Sequence, residues 1–459
     1  MRWAVAVLCV VVTLSPVLRA QEGGALVEEA RRLRDRGEFA QALVLLERRL
    51  AEQPDDGDAA RLQAQTLYWL KQTARAREAY ALALARHPDD TQVRVEYAAM
   101  LAEIGELRQA RSTLEQVLEL SPGHPEATRQ LLALRTRTAP WLQLSTVFWH
   151  DDQPLDQLAV AISAGWFVTP PFSVTLRSRP TRFESIGART FWRHEVDASY
   201  TAPGGRLEAT GWAGLLRRGA DAPAVSGIGG GSVAVRMDHG LVARARVERA
   251  PYLHTVASLD VPVMTRTATA LVQWDHARGW LAEAALQRQA FPDTNAVTSR
   301  HVWVLAPLVR TNQALLRAGY AFGLADAEQD RFTPAGVYSP YYTPDDVVTH
   351  AAAASLTVGR GAGPLFTAGG SYGFRASENA TSFSAVGTQR LRVISRREFT
   401  PWTLRASFEL PLSEAVRLSG SGETGRTAFF QWATAGVHLT YRFLPRMRAV
   451  LVDGPASGR

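Results

Sequence analysis

From Trp141 to Phe443 apolar residues return at every second position, and this alternation constrains the fold more than any other feature of the chain. In GVHLTYRF, Val437, Leu439, Tyr441 and Phe443 share one face, while His438, Thr440 and Arg442 share the other. A period of two belongs to a strand with one greasy and one wet side. In WRHEVDASY, Trp192, Val196, Ala198 and Tyr200 oppose Arg193, Glu195, Asp197 and Ser199. LVARARVE sets Leu241, Ala243, Ala245 and Val247 against Arg244, Arg246 and Glu248, and WTLRASFEL sets Trp402, Leu404, Ala406, Phe408 and Leu410 against Thr403, Arg405, Ser407 and Glu409. After the PLSE turn, Val416 and Leu418 oppose Arg417, Ser419 and Ser421. The charged faces cannot line a dry core.

Similar segments lie near 142–149, 156–167, 172–178, 206–216, 231–238, 267–275, 280–288, 301–309, 315–324, 347–358 and 364–375. Together they predict about sixteen strands, each of roughly the ten residues that cross an outer membrane. The connectors APGG (Ala202–Gly205), DHG (Asp238–Gly240) and DHARG (Asp275–Gly279) carry hairpin chemistry, whereas Asp326–Asp346 is a long loop. Trp192, Tyr200 and Trp280 fall near strand ends, as in an interfacial aromatic girdle. A soluble sandwich would need a second sheet over every apolar face. The pattern therefore predicts an antiparallel transmembrane β-barrel over residues 139–443, with a C-terminal tail at 444–459. Past the first twenty residues no apolar run reaches the roughly 20 residues of a membrane helix, so insertion must be by strands.

The first twenty residues, MRWAVAVLCVVVTLSPVLRA, have the three-part layout of a secretory signal peptide. Cys9, the only cysteine, lies inside it, so the exported chain is expected to hold no thiol and no disulfide. Between the two parts the period changes to that of helices. Pro54, Pro88 and Pro122 are spaced 34 residues apart, as are Ala42, Ala76 and Ala110, and likewise Ala30, Ala64 and Ala98. This is the tetratricopeptide pattern of paired helices: alanines let neighbours approach, and the proline stops the second helix. Gly37 and Gly105 mark turns between paired helices, with Lys71 in the equivalent place. Asp55-Asp56 and Asp89-Asp90 can cap the helices that follow. Residues 21–138 are thus expected to form an all-α solenoid of three repeats with a capping helix near Glu126–Arg135. Such a block presents a concave surface to a partner.

The formal charge of +7 is carried by scattered arginines, Lys71 being the only lysine, and no basic run suggests nucleic acid. GGSYG (Gly369–Gly373) matches a hydrolase elbow in letters, but it sits in a strand pattern, so Ser371 is expected to be structural. GIGGGS (Gly227–Ser232) reads as a glycine-rich loop before a strand, without the helix N-terminus that a phosphate needs. His150-Asp151-Asp152 reads as loop polarity. No catalytic, metal or cofactor site is expected.

The order leader, repeats, barrel resembles the outer-membrane exporters of bacterial exopolysaccharides, especially the cellulose-synthase outer-membrane subunit family and its poly-N-acetylglucosamine counterpart. The segment GVYSPYYTPDDVVTHAAAASLTV (Gly336–Val358) and the ending LRASFELPLSEAVRLSGSG through AGVHLTYRF carry the local similarity. GVHLTYRF itself, with Gly436, Tyr441 and Phe443, resembles the C-terminal recognition strand of outer-membrane proteins. The resemblance implies an export channel in the bacterial outer membrane, in contact with its lipid. Periplasmic repeats would dock proteins of a periplasmic or inner-membrane synthase complex. A polysaccharide in transit would be held weakly by Arg244, Arg246, Arg405, Arg417, His438 and Arg442 projecting inward. The competing expectation is a non-conducting barrel that anchors the repeats.

Overall fold

The computed structural model describes residues 24–444 apart from 170, 186, 203, 220–224, 261, 332–339, 360–362, 387–388 and 429. The expected leader and all but Leu444 of the expected tail lie outside the described residues, as does Gly336–Ser339.

Seven helices come first: α1 (residues 24–35), α2 (Phe39–Glu52), α3 (Gly57–Trp69), α4 (Thr73–Arg86), α5 (Thr91–Glu103), α6 (Leu107–Leu120) and α7 (Pro125–Thr138). The periodic alanines are where the helices touch: Ala30, Ala42, Ala64, Ala76, Ala98 and Ala110 are all fully buried. Larger side chains fill the space around them, with Tyr80, Val93, Met100 and Leu101 in the central cluster. Asp56 and Asp90 cap α3 and α5, accepting the amides of Ala59 and Val93 at 3.0 Å each. Gly37 and Gly105 turn the chain at φ +79° and +87°. Lys71 takes the same left-handed conformation at φ 62°, so the repeat geometry holds where the glycine is missing.

The strands run β1 (Trp141–Asp151), β2 (Asp156–Thr169), β3 (Phe172–Ser185), β4 (Gly187–Thr201), β5 (Leu207–Arg218), β6 (Val225–Arg236), β7 (Leu241–Tyr252), β8 (Val263–Asp275), β9 (Leu281–Ala290), β10 (Ala296–Arg310), β11 (Ala314–Ala327), β12 (Val347–Val358), β13 (Leu365–Val386), β14 (Gln389–Phe399), β15 (Trp402–Pro411), β16 (Val416–Arg426) and β17 (Gln431–Arg442). Each pairs antiparallel with its neighbours in chain order, and β17 closes on β1 from Trp141↔Arg442 to Asp151↔Trp432. β14 and β15 both pair with β13, in nearly one register, and are one strand interrupted at Thr400-Pro401. Proline lacks the amide needed to continue the ladder. The wall therefore has sixteen strands. The far half of the β13–β14 hairpin rises beyond it.

The large apolar side chains of these strands face outward and have no sheet over them. On β17, Val437, Leu439, Tyr441 and Phe443 are 51%, 44%, 47% and 53% exposed. Trp192, Tyr200 and Trp280 lie on the same outer surface. Among the described residues no second layer seals the barrel as a sandwich would. Among the described residues no helix is long and apolar enough to cross a membrane, which does not bear on crossing by strands.

GIGGGS corrects the sequence reading. It lies inside β6, not in a loop. The glycines are needed because neighbours crowd the backbone: a β-carbon on Gly230 would stand 2.8 Å from Trp212 Nε1 and 2.6 Å from the Val247 carbonyl oxygen.

Helices and barrel meet along one rim. The Lys71 carbonyl accepts the His239 amide of the β6–β7 turn at 3.0 Å. A β-carbon on Gly205, in the β4–β5 turn, would collide with the Ile104 carbonyl. Phe167, at the end of β2, packs on the central repeat cluster. Arg442 donates to the carbonyls of Thr136 and Arg137 at 3.3 Å each. Successive helix-pair turns thus step along the rim from β7 to β17. Both ends of the barrel chain are on this repeat-side rim, and residues 328–331 and 340–346, which join β11 to β12, are on the far rim.

Candidate functional site

With the greasy positions outward, the alternating polar positions line the interior. Cross-strand partners share a face, so the sequence-read residues can be placed from the ladder. Arg244 and Arg246 pair with Ala234 and Ser232, opposite the outward Val233 and Val235. Arg246 donates to Glu248 at 2.6 Å. Arg405 stands opposite Glu423, and with Arg317 and Ser407 it borders a recess of about 370 Å3 in the wall. Arg417 donates to Glu409 at 3.2 Å, and His438 lies between Ser419 and Ser145. Arg442 is set apart from this group: its guanidinium caps the free carbonyls at the C-terminus of α7, where a cation is favoured. Gly436 is buried against Val147 and His438, while Tyr441 and Phe443 meet edge to face on the outer surface.

The inner wall is a mosaic of paired polar groups. Hydroxyls meet across strands at Thr367–Ser407, Ser371–Thr403 and Thr210–Ser232, 2.7–2.9 Å apart. Ser371 is thereby engaged in the strand ladder. Glu195 receives Arg177 and Arg193, and Arg193 lies over the Trp212 ring, 5.1 Å from its centroid. Glu283 accepts Trp303 Nε1 at 3.2 Å and contacts His301 at 3.1 Å. In the HDD segment, Asp151 accepts the amides of Gln153 and Leu155, Asp152 accepts that of Gln431, and His150 contacts Asp156. All three are occupied in shaping a turn.

At the far rim the segment 253–260 folds inward and carries a short helix, α8 (Val256–Asp260). Leu259 is buried inside the barrel on Phe183, Phe191, Leu216 and Ile228, and Ser258 is fully buried. Asp260 holds the segment to the wall through Arg189 and through Arg218, whose Nη1 donates to the Asp260 carbonyl at 2.6 Å. Across from it the long loop comes in: Tyr341 stacks on Phe291 at 3.5 Å and donates to Asp293. Burial and Asp293 push the Tyr341 phenol up to about 12.

Between these two inward segments lies a cavity of about 920 Å3. Its lining comes from β1, β7, β12, the β14–β15 break and the β16–β17 loop, positions distributed around the barrel, so the cavity lies across the lumen. A run of rings borders it: Phe430 on Trp432 at 5.4 Å, Trp432 on Trp149 at 6.3 Å, Trp149 on His254 at 6.4 Å, and His254 on Tyr252 at 5.1 Å. Desolvation by the surrounding rings lowers the His254 pKa below the ordinary imidazole value, although the residue is open to the chamber and Asp151 opposes the shift. Sequence reasoning missed this chamber. The available signal was Val256 and Leu259 in a connector, greasy residues that a solvated loop does not need.

A tetratricopeptide repeat family model matches residues 33–104 and 70–134. No curated protein matches the chain in sequence. Among solved structures, a bacterial polysaccharide outer membrane secretin matches 67% of this chain and 99% of its own at a TM-score of 0.51 and 9% identity. The first tetratricopeptide domain of the human RPAP3 protein matches 24% of this chain and 88% of its own, at a TM-score of 0.24 and 24% identity. The chain thus carries tetratricopeptide repeats followed by a closed sixteen-stranded antiparallel barrel, a fold similar to that of the secretin.

Proposed function

We propose that this protein is an outer-membrane channel through which a bacterial exopolysaccharide leaves the cell, with its repeats in the periplasm docking partner proteins of the synthesis machinery. One observation carries the reading: an apolar outer wall encloses a hydrogen-bonding interior, and a repeat domain stands on one rim. A greasy exterior of this height is at home in hydrocarbon, and the outer membrane is where closed barrels of this kind reside. The fold shared with a polysaccharide outer membrane secretin supports the same location and cargo. The β11–β12 connection, described at 328–331 and 340–346, starts and ends on the rim away from the repeats, which matches outward-facing loops and inward-facing turns.

Transit in this reading is physical and not chemical. Paired arginines, carboxylates and hydroxyls offer many weak sites in series, and weak sites let a chain move on. Arg244, Arg246, Arg405, Arg417 and His438 would contribute such contacts, and Arg442 would instead fasten the repeats to the rim. The repeat contacts found among the described residues fall on the arc from β17 to β7, and the polymer would enter past the other arc.

The inward segment at 253–260 favours a second reading, a narrowed, non-conducting barrel that anchors the repeats. Single-channel recording in planar bilayers separates the two. The channel reading expects steady ion conductance and its block by polysaccharide added on the repeat side. Silent bilayers containing verified folded barrels would leave the anchor.

A further inference from the structure

We propose that the chamber at the far end of the lumen is a saccharide-binding site that holds a short uncharged stretch of polymer as it leaves the barrel. The inference rests on the channel reading and adds a location and a charge preference to it. The chamber lies across the axis, between the inward segment and the long loop, so a chain leaving by this rim must cross it. Its volume of about 920 Å3 suits an extended ligand of several rings.

The lining chemistry selects the ligand. Trp149 and Tyr252, with Phe399 and Phe430 from other parts of the ring, give broad flat faces at little entropic cost. The C–H faces of a pyranose stack on such surfaces. Its equatorial hydroxyls need partners, which Gln153 and Thr349 can supply at the edges. Among the lining side chains, Asp260 is held by Arg189 and Arg218, and the His254 ring, exposed between Trp149 and Tyr252, has its charged form disfavoured by desolvation. A uronate or free ammonium group would be desolvated here without an available counter-charge, which disfavours charged sugars. The surrounding wall is a continuous ladder, so a lipid acyl chain has no lateral way in.

The test uses the full processed chain in lipid nanodiscs. Tryptophan emission and calorimetry would follow titration with oligomers of N-acetylglucosamine or glucose, of glucosamine, and of glucuronate. Saturable binding of the uncharged oligomers, with the charged ones at least about tenfold weaker, is the expected result. Trp149→Ala and Tyr252→Ala should each weaken it by up to about tenfold, while Trp149→Phe stays within about threefold. Trp192→Ala, on the outer surface, should leave it unchanged. Heat-modifiable migration on gels verifies that each variant is a folded barrel. The proposal is overturned if no oligomer saturates, if charged oligomers bind equally well, or if the alanine variants bind normally. Conductance of the same preparations keeps the two levels apart: an open channel without sugar binding sinks the site alone, and a closed barrel sinks the reading beneath it.

Discussion

Replacing Val247 by arginine tests which solvent surrounds the barrel. Val247 sits in the middle of β7, points outward and is 61% exposed. If the surroundings are water, a cation at so open a position changes stability by no more than about 0.5 kcal/mol. If they are hydrocarbon, an arginine at mid-depth costs about 2–4 kcal/mol, a fall of roughly 30- to 1,000-fold in the folded-to-unfolded ratio. The adjacent inward residue supplies the control. Arg246→Val loses a solvated pair with Glu248 and should cost about 0–1 kcal/mol. Both variants would be unfolded reversibly by guanidinium in lipid vesicles, with tryptophan emission as readout. A Val247→Arg protein as stable as the parent, or an Arg246→Val protein that loses more, would refute the assignment of faces.

Other consequences are more local. Lys71→Gly should raise the stability of the helical repeats, read from their thermal unfolding, by up to about 1 kcal/mol, because it relieves a left-handed residue; circular dichroism at 222 nm reads the helices above the barrel background. Gly105→Ala should lower it by about 1 kcal/mol or more, having both φ +87° and Thr201 Cγ2 within 3.0 Å of the added carbon. Burial pushes the Asp56 carboxyl up, but the Ala59 amide and Arg49 outweigh it and hold it below the usual range. Its contribution is therefore present above the ordinary aspartate value of about 3.9 and is lost as pH falls through the depressed folded value. Acid titration of the 222 nm signal should show this loss, and Asp56→Asn should flatten that part of the curve. Asp260→Ala removes the carboxylate that ties the inward segment to Arg189 and Arg218, leaving only the Arg218 bond to the backbone carbonyl, and single-channel conductance should rise; an unchanged value would mean that the segment does not narrow the path.

The period of the sequence was enough to locate the wall. Sixteen alternating segments correspond one to one with the strands of the closed barrel, because an apolar outer face and a polar inner face leave their mark on every residue pair. Gln389–Phe399 escaped because Val393-Ile394 and Arg396-Arg397 put like residues side by side and break the alternation. Gly229–Gly231 escaped for the opposite reason: with no side chains there is no period to read, and the cause, the inward Trp212, comes from a different strand. The repeats were legible because a 34-residue spacing of alanines records helix contacts within the local chain. The chamber was not. Trp149, Tyr252, His254 and Phe430 come together only when the barrel closes and the segment at 253–260 turns inward.

The alternation itself can be measured residue by residue. With Cys9 inside the expected leader, the chain without that leader offers a background without thiols for single cysteines at Arg246, Gln287 and Ser421 on the inside and at Leu144, Ile162 and Val437 on the outside. In vesicles made with a membrane-impermeant, water-soluble maleimide on both sides, the inner set should be labelled and the outer set spared. Fluorophores placed at the outer set should be quenched by brominated lipid tails. Equal labelling of both sets by the water-soluble reagent would contradict a lipid-facing wall around an aqueous lumen.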